Sequence, residues 1–305
     1  MVEPPSQNGE INMINNIGFN SWQNWDIEIA GKLADARRQL HFASQFIAAV
    51  GKCYLTHQPD DSHTNMCWEI QHSALVGRML QGGEQCKFGI SPTKFALLKI
   101  SAAGDVTDAF TLSGKTMVQA ENWVKQSLNV SGYHPDQFSR KMHYEIEPHA
   151  VDGGAPFSDD ILAETTELGK YWGNAHLLIS EINTHHPGAS EVRCWPHHFD
   201  IALLITLNPN ASPEQVKTIG VGLSPGDANY PLPYFYISPW PYPENTELLP
   251  SLTGNGFWHT KGWVGAVLTA DKFPTDKDEQ SQIKQLQRFI RSGIAASDQL
   301  LSAKE

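Results

Sequence analysis

The sequence lacks the features of a membrane or secreted protein. No stretch approaches the roughly 18 apolar residues that a membrane-spanning helix needs. The first ten residues, MVEPPSQNGE, contain neither the basic region nor the apolar core of a signal peptide. Cysteine is scarce, at 4 of 305 residues, and no C-x-x-C pair occurs. This usage favours free thiols in a reducing compartment. We therefore expect a cytoplasmic protein that has no membrane partner.

Basic residues are also in short supply. The chain has 22 lysines and arginines against 33 acidic residues, which gives a formal net charge of −11. An acidic surface repels the phosphates of DNA and RNA, so a nucleic-acid partner is not expected. Apolar residues make up 40% of the chain, and 9 of them are tryptophan. This composition is sufficient for one sizeable hydrophobic core.

Hydrophobic periodicity predicts an α+β fold, a mostly antiparallel sheet with helices packed on it. Residues 1–20 are polar and read as a loose arm, and 21–305 read as a single domain. Residues 221–263, rich in proline, glycine and aromatics, should be loops and short strands. Helices are expected at about 27–54, 116–128 and 159–183, and again from Asp276 with Thr275 as its cap; Ser158 would cap the third. Strands are expected at about 66–80, 88–90, 94–100, 106–112, 141–148, 199–207 and 264–268.

The strand that begins at Phe199 is the centre of this prediction. Side chains alternate along a strand, so Ile201, Leu203 and Ile205 should face the core. His198 and Asp200 would then share the other face, with their Cβ atoms about 6–7 Å apart. Two interpretations stay open for this pair. One is a structural hydrogen bond, and the other is a metal or substrate site.

Further polar residues fall into local patterns. His41, Gln45 and Lys52 lie along neighbouring turns of the first long helix. His143 and Glu145 alternate along the expected strand at 141–148, and His259 lies in the aromatic segment. The motif Gly222-Leu-Ser-Pro-Gly226 resembles a hydrolase nucleophile elbow, but the residue after its serine is proline and has no N–H to stabilise an oxyanion. The motif is better explained as a turn that presents Asp227.

These patterns give two candidate sets. The ligand-binding set is His41, Gln45, Lys52, His198, Asp200 and Asp227. The metal-binding set, which would suit a divalent ion such as zinc, is His198, Asp200, His143, Glu145 and His259. Each pattern also has an ordinary structural explanation, such as a solvated strand face or a loop histidine.

Several motifs together resemble a bacterial family of uncharacterised proteins, catalogued as a domain of unknown function. They cover about residues 22–300. The resemblance implies the same α+β architecture and no activity. His197 and His198 stand where that family has small residues, so it implies that Asp200, His41, Gln45 and Lys52 carry any shared role. The matching residues are Leu40-His41, Gln45, Gly51-Lys52, Tyr171-Trp172, Ser190-Glu-Val192, Phe199-Asp-Ile-Ala202, Ser224-Pro-Gly226, Tyr234-Phe-Tyr236 and Pro239-Trp-Pro241.

Three functional hypotheses follow. The first is a small-molecule-binding protein with a concave pocket bordered by residues 221–263, which leaves open whether it is an enzyme. The second is a divalent-metal-dependent, hydrolase-like enzyme that uses His198 and Asp200 and activates a bound water. The third is a non-catalytic interaction protein whose aromatic segment is the contact surface. The sequence gives neither the substrate nor the oligomeric state.

Overall fold

The computed structural model describes residues 21–273 and 278–302. It confirms the α+β class, with five α-helices and two antiparallel sheets. The predicted helix start at Asp276 and its cap Thr275 lie outside the described residues. Within the described ranges, no helix combines the length and the apolar character needed to cross a membrane. The helices are α1 (Ile27–Ala30), α2 (Leu33–Tyr54), α3 (Met117–Val130), α4 (Leu162–His185) and α5 (Glu279–Ser302).

The strands divide into two sheets in which every neighbouring pair is antiparallel. The five-stranded sheet follows chain order and contains β1 (Cys67–Glu69), β2 (Ala74–Val76), β3 (Cys86–Ser91), β4 (Ala96–Ser101) and β5 (Val106–Thr111). The six-stranded sheet has the order β10-β11-β9-β8-β7-β6. Its strands are β6 (Arg193–Trp195), β7 (Asp200–Thr206), β8 (Thr218–Ser224), β9 (Tyr234–Trp240), β10 (Phe257–His259) and β11 (Gly265–Thr269).

The main hydrophobic core runs through both sheets, and a smaller cluster lies on the five-stranded sheet at Ala74, Val76, Leu98 and Ile100. Met66 and Cys194 form an antiparallel bridge that joins the two sheets at β1 and β6. Helix α4 contacts α2 and strands of both sheets, so it lies at the centre of the fold. The apolar side chains of α4 at Leu168, Trp172, Ala175 and Ile179 are buried, and Trp172 is fully enclosed. Long helices with an apolar stripe need such a partner surface, because packing supplies most of their stability.

Helix α2 packs closely on the loop that follows it. Its apolar residues recur at spacings of three and four, at Leu33, Ala36, Leu40, Ala43, Ile47 and Val50, and they are buried. At Gly51, an added Cβ would lie 2.3 Å from the carbonyl oxygen of His63. Only glycine leaves room for this contact between the helix and the backbone of the loop. The last turn of α2 therefore fixes the position of His63.

Two helix starts differ in their capping. Thr116 caps α3 through a capping box with Gln119. The cap predicted at Ser158 is wrong, because α4 begins only after Ile161, which makes no side-chain cap. Ser158 instead contacts α2, where its backbone N–H donates to Gln39 Oε1 at 2.9 Å. A tertiary contact has replaced the local one.

The predicted strand at 141–148 is also corrected. The segment is not part of either sheet. The predicted alternation of its faces survives, because Met142, Tyr144 and Ile146 are half-buried while His143 and Glu145 are exposed. An extended chain lying on a core gives the same pattern as a strand. The periodicity identified the extended backbone but could not show that it lacks a hydrogen-bonded partner.

Candidate functional site

A row of polar side chains on α2 meets the turn between β6 and β7. Arg37, His41 and Gln45 are spaced four residues apart, which places them on one face of the helix. The Nε2–H of His41 donates to the Pro196 carbonyl at 2.8 Å, and Gln45 Nε2 donates to the same oxygen at 2.9 Å. Burial lowers the pKa of His41 to about 4, so this imidazole is neutral at pH 7. The sequence put His41 and Gln45 in one ligand-binding set with His198 and Asp200, and the contacts show that both side chains hold the backbone of the turn.

The hairpin turn is anchored by a strained aromatic residue. Phe199 has a φ of +59°, which is unfavourable for a bulky side chain. Its ring is buried against the parallel ring of His41, with centroids 4.9 Å apart, and against Trp172 at 4.8 Å. The strand therefore starts at Asp200 rather than at Phe199. His198 lies in the turn, and both His197 and His198 are exposed, with their rings 4.2 Å apart.

Asp200 is buried at the start of β7 behind this turn. The hydroxyl of Tyr236, two strands away on β9, donates to Oδ2 of Asp200. Tyr236 reaches across Gly222, where an added Cβ would come within 2.6 Å of the tyrosine ring. The other oxygen, Oδ1, is buried and has no hydrogen-bond partner among the described residues. Burial raises the pKa of Asp200, although Tyr236 and the two neighbouring histidines act against it.

A second polar cluster lies in the loop after α2. Gln58-Pro-Asp-Asp61 forms a turn closed by the Asp61 N–H on the Gln58 carbonyl at 3.0 Å. Asp61 has a φ of +58°, a conformation that Asp tolerates better than most residues. Its carbonyl accepts from both the N–H and the hydroxyl of Thr64, at 2.9 and 2.8 Å. These bonds turn the chain back so that His57, Asp61 and His63 converge.

We call His57, Asp61 and His63 the histidine triad. One ligand atom from each lies within 4.8 Å of the others. An ion with bonds of about 2.1 Å in tetrahedral geometry holds its ligand atoms roughly 3.4 Å apart, so the side chains would close by about 1.4 Å. His57 is exposed and able to make this movement. Two imidazoles and a carboxylate are the donor set of many catalytic zinc sites and leave one coordination position open.

The surroundings of His63 bear on its use as a ligand. Burial lowers the pKa of this imidazole, and the neighbouring His57 acts in the same direction. A neutral ring is the form that binds metal, so protons compete less for His63. The Gln58 N–H faces Nδ1 at 3.3 Å, which favours the tautomer protonated on Nε2. A metal on Nδ1 would replace that long contact.

The triad and the hairpin belong to one surface. His143 Nε2 lies 3.2 Å from Asp61 Oδ2. The adjacent Tyr144 donates to Gln45 Oε1 at 2.9 Å, and its ring lies 5.8 Å from that of His197. The pKa of His197 is lowered, mainly by partial desolvation of its ring and then by His198; Asp61 acts against this shift and His143 adds to it. The extended segment at 141–149 thus links the two clusters.

The remaining predicted site residues lie elsewhere. Lys52 Nζ donates to the carbonyl of Lys141. Asp227 closes its own turn by accepting from the N–H groups of Asn229 and Tyr230, at 2.7 and 2.9 Å, and from Tyr234. His259 accepts from Tyr230 at Nδ1 and donates from Nε2 to Lys261, both at 2.7 Å.

The five residues of the predicted metal set do not meet at one point. Within residues 21–273 and 278–302, the side chains that do converge as a possible metal site are those of the histidine triad. Of the predicted set, His143 contacts a member of the triad, and Glu145 is exposed on the same segment. His57 and His63 were not among the site residues predicted from the sequence. The spacing H-x₃-D-x-H around Pro59 was the signal that pointed to them.

Two cavities stand out, and no residue of 221–263 lines either one. One, of about 330 Å³, lies between the first described residues and α4, beside Trp22, Trp68 and Asn174. The other, of about 550 Å³, lies beside the triad and includes His63 and Arg78 in its wall.

No protein-family model, no curated protein and no solved structure matches this chain.

Proposed function

We propose that the protein binds a divalent transition metal of the zinc class through His57, Asp61 and His63. The observation that carries the proposal is the convergence of their ligand atoms within 4.8 Å on a loop fixed by backbone hydrogen bonds. Borderline-soft imidazole nitrogens with one carboxylate suit zinc better than magnesium or calcium, which take oxygen ligands. This proposal keeps the metal hypothesis from the sequence and changes the ligands.

The reaction class that fits such a site is metal-assisted hydrolysis. A site with three protein ligands keeps a position for water, and a bound divalent ion lowers the pKa of that water towards 7. His143 beside Asp61 is placed to orient that carboxylate, in the manner of groups that support metal ligands from behind. The neighbouring exposed histidines at 197 and 198 place two further imidazoles on the same surface.

The test is a zinc titration by calorimetry, together with elemental analysis of the dialysed protein. We expect about one zinc ion per chain in the wild type. His57→Ala and His63→Ala should each weaken zinc binding by more than about 100-fold, because supporting residues alone already contribute roughly 10–100-fold. His185→Ala, at the exposed end of α4, is the matched control and should bind as the wild type does. Equal zinc binding in all four proteins would sink the proposal.

A second candidate function is small-molecule binding at the hairpin. It is favoured by one observation, the buried Oδ1 of Asp200 that has no hydrogen-bond partner among the described residues. Buried polar atoms are normally paired, and an unpaired one beside exposed His198 is typical of a site that a ligand completes. A thermal-shift screen of metabolites on wild type and Asp200→Ala tests it. Ligands that stabilise both proteins equally would argue against this site.

A further inference from the structure

The cavity beside the triad has an unusual charge for this protein. The chain as a whole has a net charge of −11. The cavity wall nevertheless contains a guanidinium, Arg78, and an imidazole, His63, and no carboxylate. Its other polar side chains are neutral and include Gln58, Ser62 and Gln81. Such a wall offers hydrogen-bond donors and positive charge, and it favours an anionic ligand.

A hydrogen bond holds the Arg78 side chain against the loop at 57–63. Its Nε–H donates to the carbonyl of Ser62 at 2.7 Å, and Ser62 lies between Asp61 and His63 in the chain. This bond uses one of the five N–H donors of the side chain. Nothing in the described ranges accepts a hydrogen bond from its two terminal nitrogens, whose nearest acid is Glu191 at 3.9 Å. The Arg78 side chain keeps about a third of its surface exposed, so a ligand in the cavity can reach it.

Glu191 does not satisfy Arg78. It forms two shorter contacts with Arg193, at 3.0 and 2.5 Å. Arg193 is also close enough to lower the pKa of Arg78, after the larger effect of burial. Two guanidinium groups therefore share one exposed carboxylate. A further oxyanion at Arg78 would relieve this excess of positive charge, and it would pair with the terminal nitrogens through two parallel hydrogen bonds.

We infer that Arg78 binds the anionic group of the substrate, and that the substrate is a small molecule bearing a phosphate or a carboxylate. The inference rests on the proposed function where it calls the bound molecule a substrate. The anion site itself stands on the cavity and on Arg78 alone. With a divalent ion on the triad, the loop would bring a second positive charge to the same mouth of the cavity, which strengthens the preference for an oxyanion.

The experiment is calorimetric titration of the zinc-loaded and the zinc-free protein with inorganic phosphate and, separately, with acetate, at constant chloride. We expect one of these two kinds of anion to bind to the wild type. Arg78→Gln should weaken that binding by about tenfold or more, because the substitution removes the charge-assisted hydrogen bonds to the anion. Whichever of the two anions binds identifies the group. Arg288→Gln, on the exposed face of α5, is the control and should bind as the wild type does.

The outcomes separate this inference from the proposed function. Zinc binding without any anion binding overturns the inference and leaves the metal site. Anion binding that depends on Arg78 in a protein without zinc affinity supports the anion site and overturns the metal site. Anion binding that is equal in wild type and Arg78→Gln overturns the inference. If Arg78→Gln also loses zinc binding, the substitution has moved the loop. The anion affinity of Arg78→Lys then decides whether Arg78 binds the anion. Lysine keeps the charge and loses the planar fork, so we expect intermediate anion affinity.

Discussion

The hairpin at 196–199 and the loop at 57–63 carry the same kinds of side chain but are held in different ways. The hairpin is fixed by the core, through the Phe199 ring and through two donors on the Pro196 carbonyl. The loop is fixed by its own backbone hydrogen bonds and by Gly51 beneath it. At the hairpin, the polar groups of His41 and Gln45 are already engaged with the backbone. At the loop, the side chains of the triad converge with few hydrogen bonds of their own. The loop is therefore better suited to bind a metal than the hairpin, whose backbone is held in place by the core.

The largest difference between the two regions should be in stability. Phe199→Ala removes a buried ring and leaves alanine in a left-handed conformation. We expect a loss of about 3–5 kcal/mol in the free energy of unfolding, as for other buried aromatic residues. His57→Ala, on the exposed loop, should stay within about 0.5 kcal/mol of the wild type. Urea denaturation measures both. Similar losses for the two variants would show that the hairpin is not anchored as described.

Gly51, which packs against the loop at 57–63, provides a second test of how that loop is held. Gly51→Ala would place a methyl group 2.3 Å from the His63 carbonyl and push the 62–64 turn away. We expect a loss of about 1–3 kcal/mol in stability. Zinc affinity should fall as well, because His63 moves.

The control for that variant is Gly173→Ala in α4, where the nearest atoms of Trp68 lie 3.4 Å from the added Cβ. This contact is tolerable, and alanine gains up to about 1 kcal/mol in helix propensity. Zinc affinity should not change in the control. Unchanged zinc affinity in Gly51→Ala would remove the link between α2 and the triad.

The buried carboxyl group of the hairpin predicts a pH effect. The folded-state pKa of Asp200 is raised above its unfolded value, so the folded protein holds this proton more tightly. The unfolding free energy should then fall as pH rises from about 4 through the folded pKa. Asp200→Asn removes this slope. Relative to the wild type, the variant should gain about 1.4 kcal/mol for each unit by which the pKa is raised.

Tyr236→Phe sharpens this prediction. It deletes the hydrogen bond that lowers the pKa of Asp200, so the pKa should rise further and the fall in stability should extend to higher pH. Denaturation at several pH values gives all three curves. Parallel curves for wild type and Asp200→Asn would contradict a raised pKa.

The smallest effect concerns the hairpin histidine that the sequence proposed as a ligand. His198→Ala removes an exposed side chain that lies outside the triad. We expect zinc stoichiometry and affinity to match those of the wild type by elemental analysis and calorimetry. Loss of the metal in this variant would restore the site first proposed from the sequence, with His198 and Asp200 as ligands.

Much of the fold could be predicted from local patterns in the sequence. The spacing of apolar residues predicted helices where α2, α4 and α5 lie, because a helix repeats its contacts every three to four residues. The alternation at 141–148 identified an extended segment but not its lack of a sheet partner. Hydrogen-bonded neighbours are non-local, so the pattern of one segment does not show them.

Less of the candidate site could be predicted from the sequence. His41 and Gln45 were predicted to bind a ligand, but both side chains contact a carbonyl oxygen that no side-chain pattern reveals. The triad depends on the left-handed backbone of Asp61 and on the close approach of Gly51 to His63. Both features follow from tertiary packing. The spacing of the histidines hinted at the site without showing that the loop would fold back on itself.

The most direct test of the central claim is a crystal structure of the zinc-soaked protein with anomalous data collected above the zinc absorption edge. The account predicts one strong anomalous peak about 2.1 Å from nitrogen atoms of His57 and His63 and from a carboxylate oxygen of Asp61. A peak at His197 and His198 instead, or no peak at the triad at saturating zinc, would contradict it.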